Sequence, residues 1–398
     1  MTSGGPVAAP VEVRRDRPTW VSYVQISLYG WVLYAFGPSL ALLREEQGTT
    51  RSVASLHGTA LAVGSVLAAF AVAPLVARIG RGTTLRVGTI FVVLGILGYA
   101  SIPALPLTLA GTFVLGVGAT LTLAGINAFF SDHQGPAAPR ALSESNGLGA
   151  LTGLLGPLTV GLGVALTWGW RPALLAAAAC FVALEVWRGR RLDVYDGTHG
   201  HPADEPGHAP PGPLPRLYWA TWFVLMASVG VEFSLTLWGS DLLRERAGLG
   251  DAAAAAALAT VVGGMALGRL GGSALLARRD PERMLAAAYV VTLAGFALAW
   301  LSTSALPMLA GFAVAGTGMG LQWPLGIARA LRASGGRTDR ASGMASVAAG
   351  IASGAAPFVL ASLADHVGVH TAFLVVPVLA VVALTLVLLR PVPLTASG

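Results

Sequence analysis

The chain has 398 residues, of which 55% are hydrophobic and 11% charged, and its mean hydropathy is +0.70. That composition leaves too little polar surface to clothe a water-soluble globule, which excludes a soluble enzyme or binding domain and implies a polytopic membrane protein. All 25 basic residues are Arg, and the net charge of +6 serves membrane topology without a nucleic-acid partner.

The absence of Lys excludes a P-loop, whose lysine holds nucleotide phosphates, and with it ATP-driven transport by this chain alone. Cys180, the single cysteine, excludes an intramolecular disulfide and a multi-cysteine metal centre. No cofactor or metal is expected.

In chain order, residues 1–18 form a short arm with Arg14, Arg15 and Arg17 ahead of the first apolar run. That run is too long for a signal peptide and lacks a small-residue cleavage site, so the arm reads as uncleaved and cytoplasmic. Twelve apolar runs follow, each near the ~20 residues a helix needs to cross a bilayer. They cover 19–42, 53–77, 85–102, 104–130, 141–166 and 171–187, then 216–240, 252–277, 283–302, 305–328, 341–364 and 371–390. Residues 19–187 thus make a first six-helix half and 216–390 a second. Residues 188–215, rich in Pro, Gly, His and acid, read as a disordered cytoplasmic linker, and 391–398 as a cytoplasmic tail.

Nineteen of the 25 arginines fall on the side of the termini. Arg44, Arg51, Arg171, Arg244 and Arg246 fall opposite, and Arg269 lies inside a span. The bias places both termini in the cytoplasm.

The two halves repeat at an offset of 200 residues. Residues 42–48 (LLREEQG) return as 242–248 (LLRERAG), and 77–81 (ARIGR) as 277–281 (ARRDP). Gly111, Gly116 and Gly118 meet Gly311, Gly316 and Gly318, while Arg140 and Pro157 meet Arg340 and Pro357. Six spans per half is even, so the repeats are parallel, related by an axis along the membrane normal.

With these features the chain resembles the major facilitator superfamily of secondary transporters over nearly its whole length. Residues 73–82 (APLVARIGRG) resemble the family's loop motif between spans two and three. Arg78, Gly80 and Arg81 match it, and Arg278 and Arg279 stand in the second copy, as conformational-switch loops. The motif's acidic position is Ala77, and Ala277 in the repeat. In span five, 153–161 (GLLGPLTVG) resembles the family's antiporter-associated motif, with Gly153, Gly156 and Pro157 as a hinge. Tight helix packing is the equal alternative. The family's fourth-span Arg is replaced by Thr112. Residues 169–173 and 367–373 resemble its repeated hairpin entries.

The resemblance implies an all-α fold of twelve transmembrane helices and a bacterial cell membrane location. It also implies a monomer working by alternating access, with spans one, four, seven and ten around the central cavity.

A charge at membrane depth asks for a partner, a wet cavity or a function. Glu232, about two-thirds of the way along span seven, reads as a cavity acid for substrate or proton, with Thr221, Ser228 and Thr236 on its face. Arg269 in span eight is similar to the arginine that binds organic anions in the oxalate and monocarboxylate branches; snorkelling to the interface is the alternative. At 1.5 Å per residue, Glu232 stands ~24 Å and Arg269 ~12 Å from the cytoplasmic ends of their spans, which predicts two levels of one cavity and no static ion pair.

Tyr23, Trp31 and Tyr34 make a stripe in span one, and Asn127, Gln322 and Trp323 add polar and aromatic surface in spans four and ten. Arg44-Glu45 and Arg244-Glu245 would rim an outer gate.

The expected activity is transport of a small hydrophobic or amphipathic organic molecule, exported against protons through Glu232. An organic-anion carrier anchored by Arg269 is the alternative, and a membrane sensor the alternative of another class. No paired carboxylates or nucleophile–base pair indicates an enzyme.

Overall fold

The computed structural model describes residues 12–196, 212–276 and 279–392, and among them every regular element is a helix. The first half contains Arg17–Gln47, Arg51–Ile79, Arg81–Tyr99 and Leu105–Gln134 as spans one to four. Span five is split into Ala138–Gly153 and Leu155–Ala165, and span six is Arg171–Arg188. The second half repeats the series: Arg216–Ala247 is span seven, Asp251–Ala257 with Ala259–Leu276 span eight, and Pro281–Leu301 span nine. Ala305–Arg332 is span ten, Thr338–Val367 span eleven, and Val369–Ala372 with Val375–Leu389 span twelve.

Taken singly, ten helical runs among the described residues are long and apolar enough to cross a membrane, two fewer than expected. Spans four and five merge into one run of 61 residues, Leu105–Ala165. Span six carries Arg171, Glu185 and Arg188 within its 18 residues.

The repeated sequence sets equivalent helix ends. Gly48 and Gly248 close spans one and seven at φ 60° and 65°, a left-handed conformation that costs glycine least. Span five breaks at Leu154, next to the Gly153, Gly156 and Pro157 expected as a hinge. Pro157 has no N–H to give the Gly153 carbonyl. Span eleven keeps Pro357 inside a continuous helix; there Ser353 and Ala356, better helix formers, replace Gly153 and Gly156.

The linker is more ordered at its ends than its composition suggests. Arg188 belongs to span six, and Asp193–Tyr195 form a helical turn. Tyr195 is buried 5.0 Å from Phe129, ring centre to ring centre. Asp196 accepts hydrogen bonds from the N–H groups of Arg81 (2.6 Å) and Gly82 (3.0 Å), so it caps span three. His199, His201, Asp204, Glu205 and His208 lie outside the described residues.

Even span counts bring the described N- and C-terminal ends to the same side, here the terminal end; the opposite side is the distal end. One large apolar core mixes the halves, with Leu40 and Leu43 beside Leu242, Leu243 and Ala254. At the terminal end the cores separate. Val13, Tyr23 and Phe130 cluster within the first half, and Leu214, Tyr218 and Val392 within the second. The halves are therefore fused distally and keep their own cores terminally.

Candidate functional site

Span one meets spans seven and eight where the halves join. Tyr34, 7% exposed, donates its hydroxyl to Oε1 of Glu232 at 3.0 Å, and the same hydroxyl lies 4.0 Å from Met265 Sδ in span eight. Arg269 interacts with the Tyr34 hydroxyl and, through its charge, with the Glu232 carboxylate. Among the described residues Tyr34 is the one hydrogen-bond donor to that carboxylate. The expected two-level spacing contracts: the long Arg side chain and the tyrosine link residues that straight-helix arithmetic sets ~12 Å apart in depth.

Local sequence fixes Tyr34. A Cβ at Gly153 would fall 2.5 Å from the Tyr34 ring, and one at Gly156 would fall 2.5 Å from Ala35 N. The predicted hinge glycines therefore let span five press against span one behind the tyrosine. On the other side, a Cβ at Gly37 would sit 1.9 Å from Thr236 O, so spans one and seven cross backbone to backbone just distal to Glu232.

The other expected site residues are placed as follows. Ser228 is buried and bonded to Val224 O (2.9 Å) and Tyr289 Oη (2.5 Å), inside the second half. Gln322 gives Nε2 to Thr292 Oγ1 of span nine at 2.8 Å. Their faces of spans seven and ten turn toward span nine, where a polar group finds a partner. Trp31 donates Nε1 to Thr159 Oγ1 of span five (3.0 Å). Tyr23 donates to Glu144 Oε2 (2.9 Å) near the terminal end. Trp323 packs on the second half's terminal cluster, and Asn127 is exposed on span four.

The switch loops are tied by acids from outside the motif. Arg81 Nη1 reaches Asp132 Oδ2 of span four at 2.7 Å and Tyr195 O at 3.2 Å. Asp132 and Asp196 thus take the place of the carboxylate missing at Ala77. Gly80 turns the loop at φ 79°. Arg78 and Arg279 are exposed; Arg278 lies outside the described residues. In the second half the pair is charge-reversed: Glu282 of span nine holds Arg329 (2.8 Å) and Arg332 (3.1 Å) of span ten.

At the distal end the expected rim forms with a different acid. Asp241, its side chain 2% exposed, accepts from Arg51 Nε (2.9 Å) and Arg244 Nη2 (2.5 Å), with Arg44 Nη1 at 3.4 Å. Arg244 Nη1 also holds Glu45 and Asp251, each at 2.7 Å. Glu245 is not in this network; it accepts the His370 N–H at 3.4 Å. On the same rim Asp365 accepts from Arg51 N (3.1 Å) and Ser52 N (2.8 Å), and the Ser52 hydroxyl also bonds to it. Sequence reasoning missed Asp241 and Asp365. The offset carried the signal, since their counterparts in the first half are Ala41 and Ala165.

The profile of the Major Facilitator Superfamily matches residues 23–305 and 247–397. No curated protein matches the sequence. Among solved structures, an aspartate-to-alanine mutant of the nucleoside transporter NupG superposes with a TM-score of 0.74 at 13% identity, covering 94% of this chain and 99% of that one. A bacterial homologue of the human lysosomal transporter Spinster gives 0.71 at 13%, covering 94% and 97%. The E. coli fucose:proton symporter FucP gives 0.62 at 15%, covering 94% and 98%. At these identities the likeness is one of fold.

Proposed function

The chain belongs to the major facilitator superfamily of secondary transporters, and on that premise we propose that Tyr34, Glu232 and Arg269 are the site at which it binds and moves its solute. The observation that carries this reading is the 3.0 Å hydrogen bond from Tyr34 to Glu232, with Arg269 beside both. An acid and a cation from the second half and a phenol from the first, at membrane depth, sit where a rocking motion changes their surroundings.

The solute is a small amphipathic organic molecule bearing an ionisable group, because a phenol, a carboxylate and a guanidinium are the polar anchors in a chain that is 55% hydrophobic. Glu232 takes up a proton when the solute leaves, which couples export to proton entry. The arginine bias supports a cytoplasmic terminal end, and the distal fusion supports a site that opens toward it. The membrane is the bacterial inner membrane, and the monomer is the working unit. The contact of Arg269 with Tyr34 favours a second reading, an organic anion held by the guanidinium.

Counterflow of labelled solute in proteoliposomes tests the site. A carrier exchanges solute and a sensor does not. The proposal expects loss in Glu232→Gln and in Arg269→Gln, and full exchange in both variants would overturn it.

A further inference from the structure

At the distal seam, two of the ion pairs that join the halves between described residues converge on one acid, and Arg244–Glu45 is a further one. Asp241 draws Arg44 and Arg51 from the first half and Arg244 from its own span, all within 3.4 Å. Nearby, the N-terminus of span two receives part of its cap from the other half. Thr50 accepts from Val53 N at 3.3 Å as the ordinary N-cap, while Asp365 of span eleven takes the N–H groups of Arg51 and Ser52. Those two donors belong to the set that a helix leaves without intrahelical partners.

A cap supplied in trans is satisfied only while the halves touch. Separating them at this end would strip span two of two acceptors and take Arg44 and Arg51 away from the Asp241 carboxylate, which would keep only Arg244 of its own span.

The seam also holds groups that gain nothing from closure. Arg44 Nε and, one residue before Asp241, Ser240 Oγ are buried there without a hydrogen-bond partner among the described residues. Buried orphans of this kind favour the wetted, open arrangement, so closure at this end depends on the carboxylate contacts.

We infer that Asp241 and Asp365 are a two-point latch, both points carried by the second half, that holds the distal end shut and sets how often it opens. This rests on the alternating-access reading but on neither the solute nor the coupling ion. The two acids act on different elements, Asp241 on arginine side chains and Asp365 on a helix terminus. Losing either shifts the balance between closed and open forms without touching Tyr34, Glu232 or Arg269.

The experiment uses the full chain in nanodiscs with Cys180→Ser and a reporter, Ser240→Cys, beneath the seam. A membrane-impermeant maleimide reports opening. Asp241→Asn and Asp365→Asn should each raise the labelling rate by about tenfold or more over the parent. Asp365 is exposed, so its variant loses the charge and one of the two acceptor oxygens of the cap without leaving a buried charge unpaired, and it stands as the test should Asp241→Asn fold poorly. In the converse arm, Ser52→Cys with Asp365→Cys is oxidised to a disulfide. Labelling of the reporter should then stop and return with reductant. Unchanged labelling in both Asn variants, or labelling that persists in the disulfide-bonded protein, would overturn the latch. Because labelling needs no solute, a failed counterflow experiment and a failed latch remain distinguishable.

Discussion

Set side by side, the two halves share a frame and divide the chemistry between them. The first half brings hydrogen-bond donors to the seam: the Tyr34 hydroxyl, the Arg44 and Arg51 side chains and the N-terminal N–H groups of span two. The second half brings most of the acceptors, Glu232, Asp241 and Asp365. Their counterparts in the first half are Val32, Ala41 and Ala165. Glu45 and Arg269 run the other way, the first pairing with Arg244 at 2.7 Å. Duplication supplies two matching bodies, and divergence at a few positions makes their faces complementary. Away from the seam the same divergence only exchanges roles, as where Arg81–Asp132 in one half becomes Glu282 with Arg329 and Arg332 in the other.

Reverting the second half toward the first is the most direct way to break this division. Glu232→Val installs the first-half residue, and counterflow should fall by about a hundredfold, the scale of losing a charged hydrogen-bonding partner. Exchange within twofold of the parent would show that the asymmetry is idle.

Next in size is the packing behind Tyr34. Gly153→Ala places a Cβ where the ring now lies and should raise the half-saturating solute concentration by about tenfold by displacing the tyrosine. An unchanged value would mean the ring is not part of the binding surface.

A smaller effect separates site from scaffold. Ser228→Ala removes bonds to Val224 O and Tyr289 Oη and should cost about 1 kcal/mol of stability, read by thermal unfolding in detergent, while exchange stays intact. A selective loss of solute affinity would return Ser228 to the cavity.

The smallest concerns Asp16 at the terminal end. Burial works to raise its carboxyl, but hydrogen bonds from Thr19 and His133 outweigh that and hold it below the ordinary 3.8. A lowered folded-state pKa contributes stability above pH 3.8 that is lost as pH falls through the folded value. Asp16→Asn should therefore destabilise by less than about 1 kcal/mol at pH 7, with the difference closing in acid. A difference that grew on acidification would contradict the assignment.

The all-helical fold and the internal repeat were legible because composition, span length and the 200-residue offset are local properties of the string. Glu232, Arg269 and Tyr34 were legible as charges or aromatics at membrane depth. Which face each helix turns inward was not. Helical spacing put Ser228 on Glu232's side of span seven, yet Tyr289 of span nine supplies its partner. Gln322 is likewise claimed by Thr292. The gate was half legible: the repeated Arg-Glu pairs marked the right end, but the buried acid is Asp241, one turn before Arg244. The carboxylates serving Arg81 come from Asp132 and Asp196, which no motif spacing links to it.

The central claim is that an asymmetric site between symmetric halves binds the solute, and a thermal-shift ligand screen tests it most directly, since a bound solute raises apparent stability by mass action. The screen runs on the parent chain and, in parallel, on Tyr34→Phe, Glu232→Gln and Arg269→Gln. The account predicts small amphipathic ligands that stabilise the parent and lose most of that shift in Glu232→Gln or Arg269→Gln, with a partial loss in Tyr34→Phe. A ligand that the protein also exchanges in counterflow, but whose stabilisation survives undiminished in all three variants, would contradict it.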